Sequence, residues 1–158
     1  MIGPRALVSV IVLPVTVAVV FPWLLVGRIV VPTGIALIGL IPLALGVALS
    51  AWCVVVFATR GRGTLAPWDP PRRFVATGPY RVVRNPMYLG VGSVVLAEAI
   101  LFSSWSIGFY LVAVALLWHL FVVAYEEPTL ERQFGEEYRA YRARVSRWLP
   151  RRVTEGQR

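Results

Sequence analysis

The sequence predicts an all-α, polytopic membrane protein with about four transmembrane helices and a C-terminal amphipathic helix. Three observations carry this. Hydrophobic residues make up 58% of the 158-residue chain, and the mean hydropathy of +0.70 lies well above that of a soluble domain this size. The excess is gathered into uncharged runs long enough to cross a bilayer, which takes roughly 20 residues. The Arg residues lie outside those runs: there are 16 basic residues, all Arg, against 8 acidic ones.

That distribution also sets the partners. The net charge of +8 comes with no RNA- or DNA-binding motif, so it suits the anionic lipids of a membrane leaflet rather than nucleic acid. Cys53 is the lone cysteine, which excludes an intrachain disulfide and a cysteine-cluster metal site. It lies inside an apolar run and reads as a packing residue. His119 is the lone histidine, so an all-histidine metal site is excluded and no metal is expected. No obligate protein partner is evident, and neither an internal repeat nor a low-complexity segment appears. The chain reads as a single domain.

Residues 1–59 hold the first two spans. Ala6 to Val26 carries no charge; it is longer than the ~7–15 apolar residues of a signal peptide core and ends in no clear cleavage site, so it reads as a span. Pro14 is a kink point, and Pro22 with Trp23 suits an interfacial end. The uncharged run from Ile29 to Thr59 is too long for one upright helix; Pro32-Thr33-Gly34 marks a turn, which places span two at about Ile35 to Ala58. Gly39, Gly46 and Ser50 within it either admit a close helix neighbour or merely face lipid.

A polar loop follows, about residues 60–86. Between Arg60 and Arg84 it holds six Arg residues against the single Asp69, with frequent Gly and Pro, so it reads as an ordered, cytoplasmic loop. A helical hairpin occupies residues 87–125: about Pro86 to Phe102, a tight turn at Ser103-Ser104-Trp105-Ser106, then about Ile107 to Tyr125. Four spans place both termini in the cytoplasm of an inner-membrane protein. In the tail, residues 126–150, the apolar residues Leu130, Phe134, Tyr138, Tyr141, Val145 and Trp148 recur every three or four positions and form one helical stripe, while Arg132, Arg139, Arg142 and Arg147 fall elsewhere on the wheel. Gly135 is a potential break. Such a helix lies on the membrane surface or covers the loop.

The chemistry-bearing residues cluster at two corners. Asn85-Pro86 is a favoured N-cap followed by a favoured first helical residue, and a free helix N-terminus also suits an anionic group. Tyr80 and Tyr88 flank it as interfacial belt residues or as pocket rings. Glu126-Glu127-Pro128 stands where span four ends; its carboxylates either favour a helix start or bind a ligand or pair with Arg81 or Arg84. Between Arg84 and Glu126 the only acidic or basic side chains are Glu98 and His119, both functional candidates by their intramembrane position. On the hairpin they differ in depth by roughly 12 Å, which argues against a direct pair. His119 lies on the cytoplasmic half and is a candidate substrate-binding residue.

Taken together, Gly78-Pro79-Tyr80-Arg81-x-x-Arg84-Asn85-Pro86-Met87-Tyr88-x-Gly90 and, after the hairpin, Glu126-Glu127-x-x-Leu130-x-x-x-Phe134-Gly135-x-Glu137-Tyr138-x-x-Tyr141-x-x-x-Val145-x-x-Trp148-x-Pro150 resemble the isoprenylcysteine carboxyl methyltransferase family and its phospholipid methyltransferase relatives. The resemblance covers about Gly78 to Pro150. It implies S-adenosylmethionine as methyl donor, with contacts from Tyr80, Val83, Arg84, Asn85, Pro86, Tyr88, Glu126, Glu127, Leu130, Tyr138 and Tyr141, and a lipophilic small molecule as acceptor. Asn85 stands where the isoprenylcysteine enzymes usually have His; it keeps hydrogen bonding and lacks titration.

Methyl transfer is an in-line displacement that requires alignment and exclusion of water. A carboxylate acceptor needs no general base and is oriented by Arg84, whereas an amine must lose a proton, for which Glu127 is the candidate base. Two other readings compete: an NADPH-dependent membrane reductase of the sterol reductase type, whose C-terminal region is similar, and a non-enzymatic protein that binds anionic lipid.

Overall fold

The computed structural model describes residues 14–27, 31–61 and 74–150. The regular elements among them are all helical: α1 (Thr16–Val26), α2 (Gly34–Thr59), α3 (Pro86–Leu101), α4 (Trp105–Phe134) and α5 (Glu136–Arg144). The first part of the Ala6–Val26 span and most of the Arg-rich loop lie outside the described residues.

Two helices are long and apolar enough to span a bilayer: α2, of 26 residues, and α4, of 30 residues, whose most apolar 18-residue windows have mean hydropathies of 2.4 and 2.3. Their exposure decides how to read them. Only 17% and 11% of their most apolar windows are buried, whereas a soluble core helix of that composition would bury most of its surface. On α4 the outward residues Phe109, Val112, Leu116, Leu120 and Val123 recur at helical spacing, a continuous apolar stripe that water would not tolerate and lipid would.

Helices α2 and α3 form the main seam. It is built on small residues, so that of the two readings of Gly39, Gly46 and Ser50 the close-neighbour one holds. A Cβ on Gly46 would lie 2.6 Å from the Gly90 carbonyl oxygen and 2.9 Å from the Val94 nitrogen, and one on Gly90 would collide with Ser50 Oγ. In lipid the tails are as apolar as the side chains, so such backbone approach, through dispersion, is what holds helices together. A second packing centre joins Ala18 of α1, Val91 and Val95 of α3 and Ile107 of α4. A third seats the loop on α2, with Val75 and Tyr80 against Cys53 and Val56; Cys53 is fully buried there, as its packing role requires.

The α3–α4 turn is closed by Ser104, whose hydroxyl accepts from the Ile107 N–H at 3.4 Å, satisfying one orphan donor of the new helix. From there α4 runs without a break past Tyr125, widening to a π-helical turn over Val122–Glu126 before an α-helical stretch from Glu127. Such turns shift the phase of whatever follows them, here the two carboxylates.

The tail differs from a single striped helix. Gly135 interrupts it with φ 53° and ψ −120°, a conformation open essentially only to glycine, and α5 ends at Arg144, with Val145 extended. The apolar stripe therefore stops being helical before Val145 and Trp148. Tyr138 and Tyr141 are nonetheless buried, packed edge-on against Phe74 from the loop with ring centroids 6.0 and 5.0 Å away.

Candidate functional site

The loop before α3, the end of α4 and the tail converge at one end of the bundle. Backbone pairing registers them. Val83 forms a parallel bridge with Ser146, and the Arg84 N–H donates to the Ser146 carbonyl at 2.8 Å. Ahead of this a 3-10 turn, Gly78–Arg81, is tied to the tail from the other side: the Tyr141 hydroxyl donates to the Tyr80 carbonyl at 2.7 Å in a buried bond.

At the centre is Glu127, 7% exposed. Both its oxygens are held by Arg147, Nε to Oε1 at 2.6 Å and Nη2 to Oε2 at 3.0 Å, the bidentate geometry in which a guanidinium grips a carboxylate best. Arg84 Nη1 approaches Oε1 at 3.1 Å and lies 3.3 Å from the Tyr138 hydroxyl. Two guanidinium charges thus face one carboxylate. The neighbouring Glu126 is engaged elsewhere, accepting from the Tyr88 hydroxyl at 3.0 Å.

The electrostatics follow from burial and pairing. The hydrogen bond to Glu127 holds the Arg147 guanidinium further above its ordinary range. Burial, reinforced by the Glu127 charge, raises Tyr138, and burial likewise raises Tyr141 and Tyr80. All three phenols are therefore neutral; the Tyr138 hydroxyl accepts from Arg84 and the Tyr141 hydroxyl donates to the Tyr80 carbonyl, while the Tyr80 hydroxyl has no hydrogen-bond partner among the described residues.

Asn85 requires a correction. Its side chain makes no capping bond to α3; its Nδ2 donates instead to the Arg147 carbonyl at 3.2 Å. Pro86 does occupy the start of α3, fixing the entering chain where its missing N–H costs nothing. With the cap position tied to the tail, Asn85 spends its amide on joining the two walls.

Of the candidate cofactor residues, Val83, Arg84, Asn85, Glu127, Tyr138 and Tyr141 meet in this cluster, with Pro86 buried beneath it. Tyr80 joins through its backbone, its ring turned toward Cys53 and 5.2 Å from Phe57. Leu130 sits half-buried one turn beyond Glu127 on α4. Arg81 is exposed, and the ion pair to Glu127 is made by Arg84 and by Arg147. Arg147 is the residue that the helical wheel placed among the outward arginines. The wheel fails there because the tail breaks at Gly135 and its helix ends at Arg144, so Arg147 no longer follows the helical phase.

Beside the charged cluster lies an apolar cavity of about 430 Å³ between α3 and α4. Leu89, Leu96, Leu111 and Ala115 form its walls, and Tyr88, Trp118, His119 and Trp148 its polar end. The rings there interlock, Tyr88 against Trp118 and Trp148 with centroids at 5.3 and 6.1 Å, and Trp148 Nε1 donates to His119 Nδ1 at 3.1 Å. Cluster and cavity share a wall, because Tyr88 and Trp148 line the cavity while Trp148 follows Arg147 of the cluster in sequence and Tyr88 is bonded to Glu126, the neighbour of Glu127. Glu98 is not near either; its Oε2 is buried and has no hydrogen-bond partner among the described residues, and no bond joins it to His119.

Lipid-facing helices with a charged cluster and an apolar cavity side by side at one end define the class as a membrane-embedded helical protein. The chain belongs to the phospholipid methyltransferase family: the model of that family matches residues 33–137, well over half of the chain. It is thereby a membrane methyltransferase. None of the curated proteins matches it.

Proposed function

We propose that the protein transfers the methyl group of S-adenosylmethionine to a lipophilic acceptor, an isoprenoid or lipid carboxylate or amine, at the cytoplasmic face of the inner membrane, with four spans and both termini cytoplasmic. The observation that carries this is the shared wall: a charged, hydrogen-bonding cluster for a polar donor, separated by one layer of side chains from an apolar cavity for a lipid acceptor.

The residues present fit the donor. Arg84 Nε is buried and has no hydrogen-bond partner among the described residues, although an unpaired guanidinium N–H in that position costs stability unless something accepts from it. The cluster also carries one guanidinium charge beyond what Glu127 neutralises. A carboxylate such as that of the methionine moiety meets both requirements. Tyr80, Val83, Asn85, Pro86, Tyr88, Glu126, Leu130, Tyr138 and Tyr141 would form the rest of the cradle. S-adenosylmethionine supplies a methyl group already activated by its sulfonium.

The protein's own part is alignment and exclusion of water. Arg84 orients the donor or a carboxylate acceptor. Glu127 fixes Arg84 and Arg147 in place, and for an amine acceptor it would be the base that takes up the departing proton. The tail, pinned through Arg147, Asn85 and Tyr141, closes the site against the cytoplasm, while the cavity admits the acceptor from between α3 and α4.

Thermal stability of the detergent-solubilised protein tests this. S-adenosylmethionine and its demethylated product should raise the melting temperature, and Arg84→Ala should remove the rise. A response to NADPH in place of S-adenosylmethionine, or none to either at saturation, would overturn the proposal.

A further inference from the structure

The polar end of the cavity can be read donor by donor. The Tyr88 hydroxyl gives its hydrogen to Glu126, the Ser93 hydroxyl to the Leu89 carbonyl at 2.8 Å, and the Trp148 indole to His119 Nδ1. An indole nitrogen can only donate. Nδ1 must therefore carry no hydrogen in this bond, and the neutral imidazole must carry its hydrogen on Nε2. That second nitrogen has no hydrogen-bond partner among the described residues.

Trp148 belongs to the tail and His119 to α4, 29 residues apart in sequence, so the bond forms only when the tail is docked. Its neighbour Arg147 is locked onto Glu127, which fixes where the indole can reach. The ring centroids of Trp148 and His119 lie 6.2 Å apart at an interplanar angle of 37°; the contact is thus a directed hydrogen bond rather than a ring stack.

We infer that Trp148 is a positioning residue: by donating to Nδ1 it holds His119 as the Nε2–H tautomer, so that the docked tail equips the cavity with a hydrogen-bond donor for an oxygen on the acceptor's head. The inference rests on the reading of the cavity as the acceptor site. It narrows the acceptor to a lipophilic molecule that presents an oxygen lone pair there, such as a carboxylate, ester carbonyl or phosphate oxygen. An alkylammonium head with no oxygen beside it has nothing to offer that donor.

Because His119 is the only histidine in the chain, a nitrogen NMR spectrum of histidine-labelled protein in detergent reports this ring alone. With the ring neutral, Nδ1 should resonate as an unprotonated nitrogen and Nε2 as a protonated one. Trp148→Phe, which keeps an aromatic ring and removes the N–H, should shift Nδ1. Oleate, an oxygen head on an apolar chain, should move the Nε2 resonance, and oleylammonium should not. Losing the orienting bond should weaken oleate binding about tenfold, the usual scale of one hydrogen bond. In a His119→Phe background Trp148→Phe should add nothing further, which a merely structural role for Trp148 would not give.

A protonated Nδ1 in the unmodified protein, an Nδ1 indifferent to Trp148→Phe, or an Nε2 that ignores oleate would each overturn the inference. These spectra need no methyl donor. Failure of the methyl-transfer reading shows instead in the thermal response to S-adenosylmethionine, and the two are distinguishable.

Discussion

Removing the carboxylate of Glu127 should release the tail. The side chain is 9% exposed, and its partners Arg84 and Arg147 are 10% and 29% exposed. Glu127→Ala would leave two partly buried guanidinium groups facing each other with nothing between them. Breaking a buried pair from one side costs about 3–5 kcal/mol, because the survivor keeps its desolvation penalty. Here the loss falls on an element with few other anchors: the Asn85, Tyr141 and Trp148 bonds, the Val83–Ser146 bridge and the packing of Phe74. Helices α2 and α3 hold each other independently through Gly46 and Gly90, so local release precedes global unfolding. Limited trypsin digestion reads this directly, since Arg139, Arg142 and Arg144 lie within α5. Cleavage there tracks the open population, and a loss of that size should raise it more than about a hundredfold. Glu131→Ala supplies the control and keeps every trypsin site. It removes exposed pairs with Arg142 at 2.9 Å and Arg139 at 3.7 Å, each worth at most about 1 kcal/mol. If Glu127→Ala is cut no faster than that control, the cluster does not anchor the tail and the reasoning fails.

Other perturbations address separate parts of the fold. Gly46→Ala should cost about 1–3 kcal/mol, since its new methyl would meet backbone atoms of α3 that cannot yield; resistance to denaturation in detergent measures it, and an unchanged value would refute the close seam. Tyr141→Phe removes a buried 2.7 Å bond and leaves the Tyr80 carbonyl unsatisfied, for a loss of about 1–3 kcal/mol visible in the same assay and as weaker protection by S-adenosylmethionine. Gly135→Ala forces a side chain into φ 53°, ψ −120°; the strain of about 1–3 kcal/mol should appear as faster trypsin cleavage of the tail, with the unfolding of the α2–α3 pair unaffected.

What the sequence made legible was whatever depends on local pattern. Uncharged runs located α2 and α4, Pro86 marked the first turn of α3, and Gly135 flagged the break in the tail. The loop and tail segments were paired through their motif, and the structure brings Arg84, Asn85, Glu127, Tyr138 and Tyr141 together. Illegible were the partners chosen across long separations. Asn85 has the chemistry of a cap, yet a carbonyl 62 residues away takes its amide. Arg147 looked outward on a helical wheel because the wheel assumes a helix that ends at Arg144, and once the chain is extended the phase of every later side chain is reset. Trp148 was counted among the apolar stripe for the same reason, and its indole bond to His119 could not be foreseen from periodicity.

The bridge between Val83 and Ser146 is made of backbone groups alone. Every residue but proline carries those groups, so the alignment of loop on tail does not depend on which side chains stand at either position. Where the two walls sit is thereby separated from what they present. Substitutions that alter the rings and charges facing the cavity can therefore leave the walls where they are, provided neither position becomes proline and the tail keeps its anchor at Glu127. On the proposed reading of the cavity, such exchanges would change the acceptor on a fixed frame.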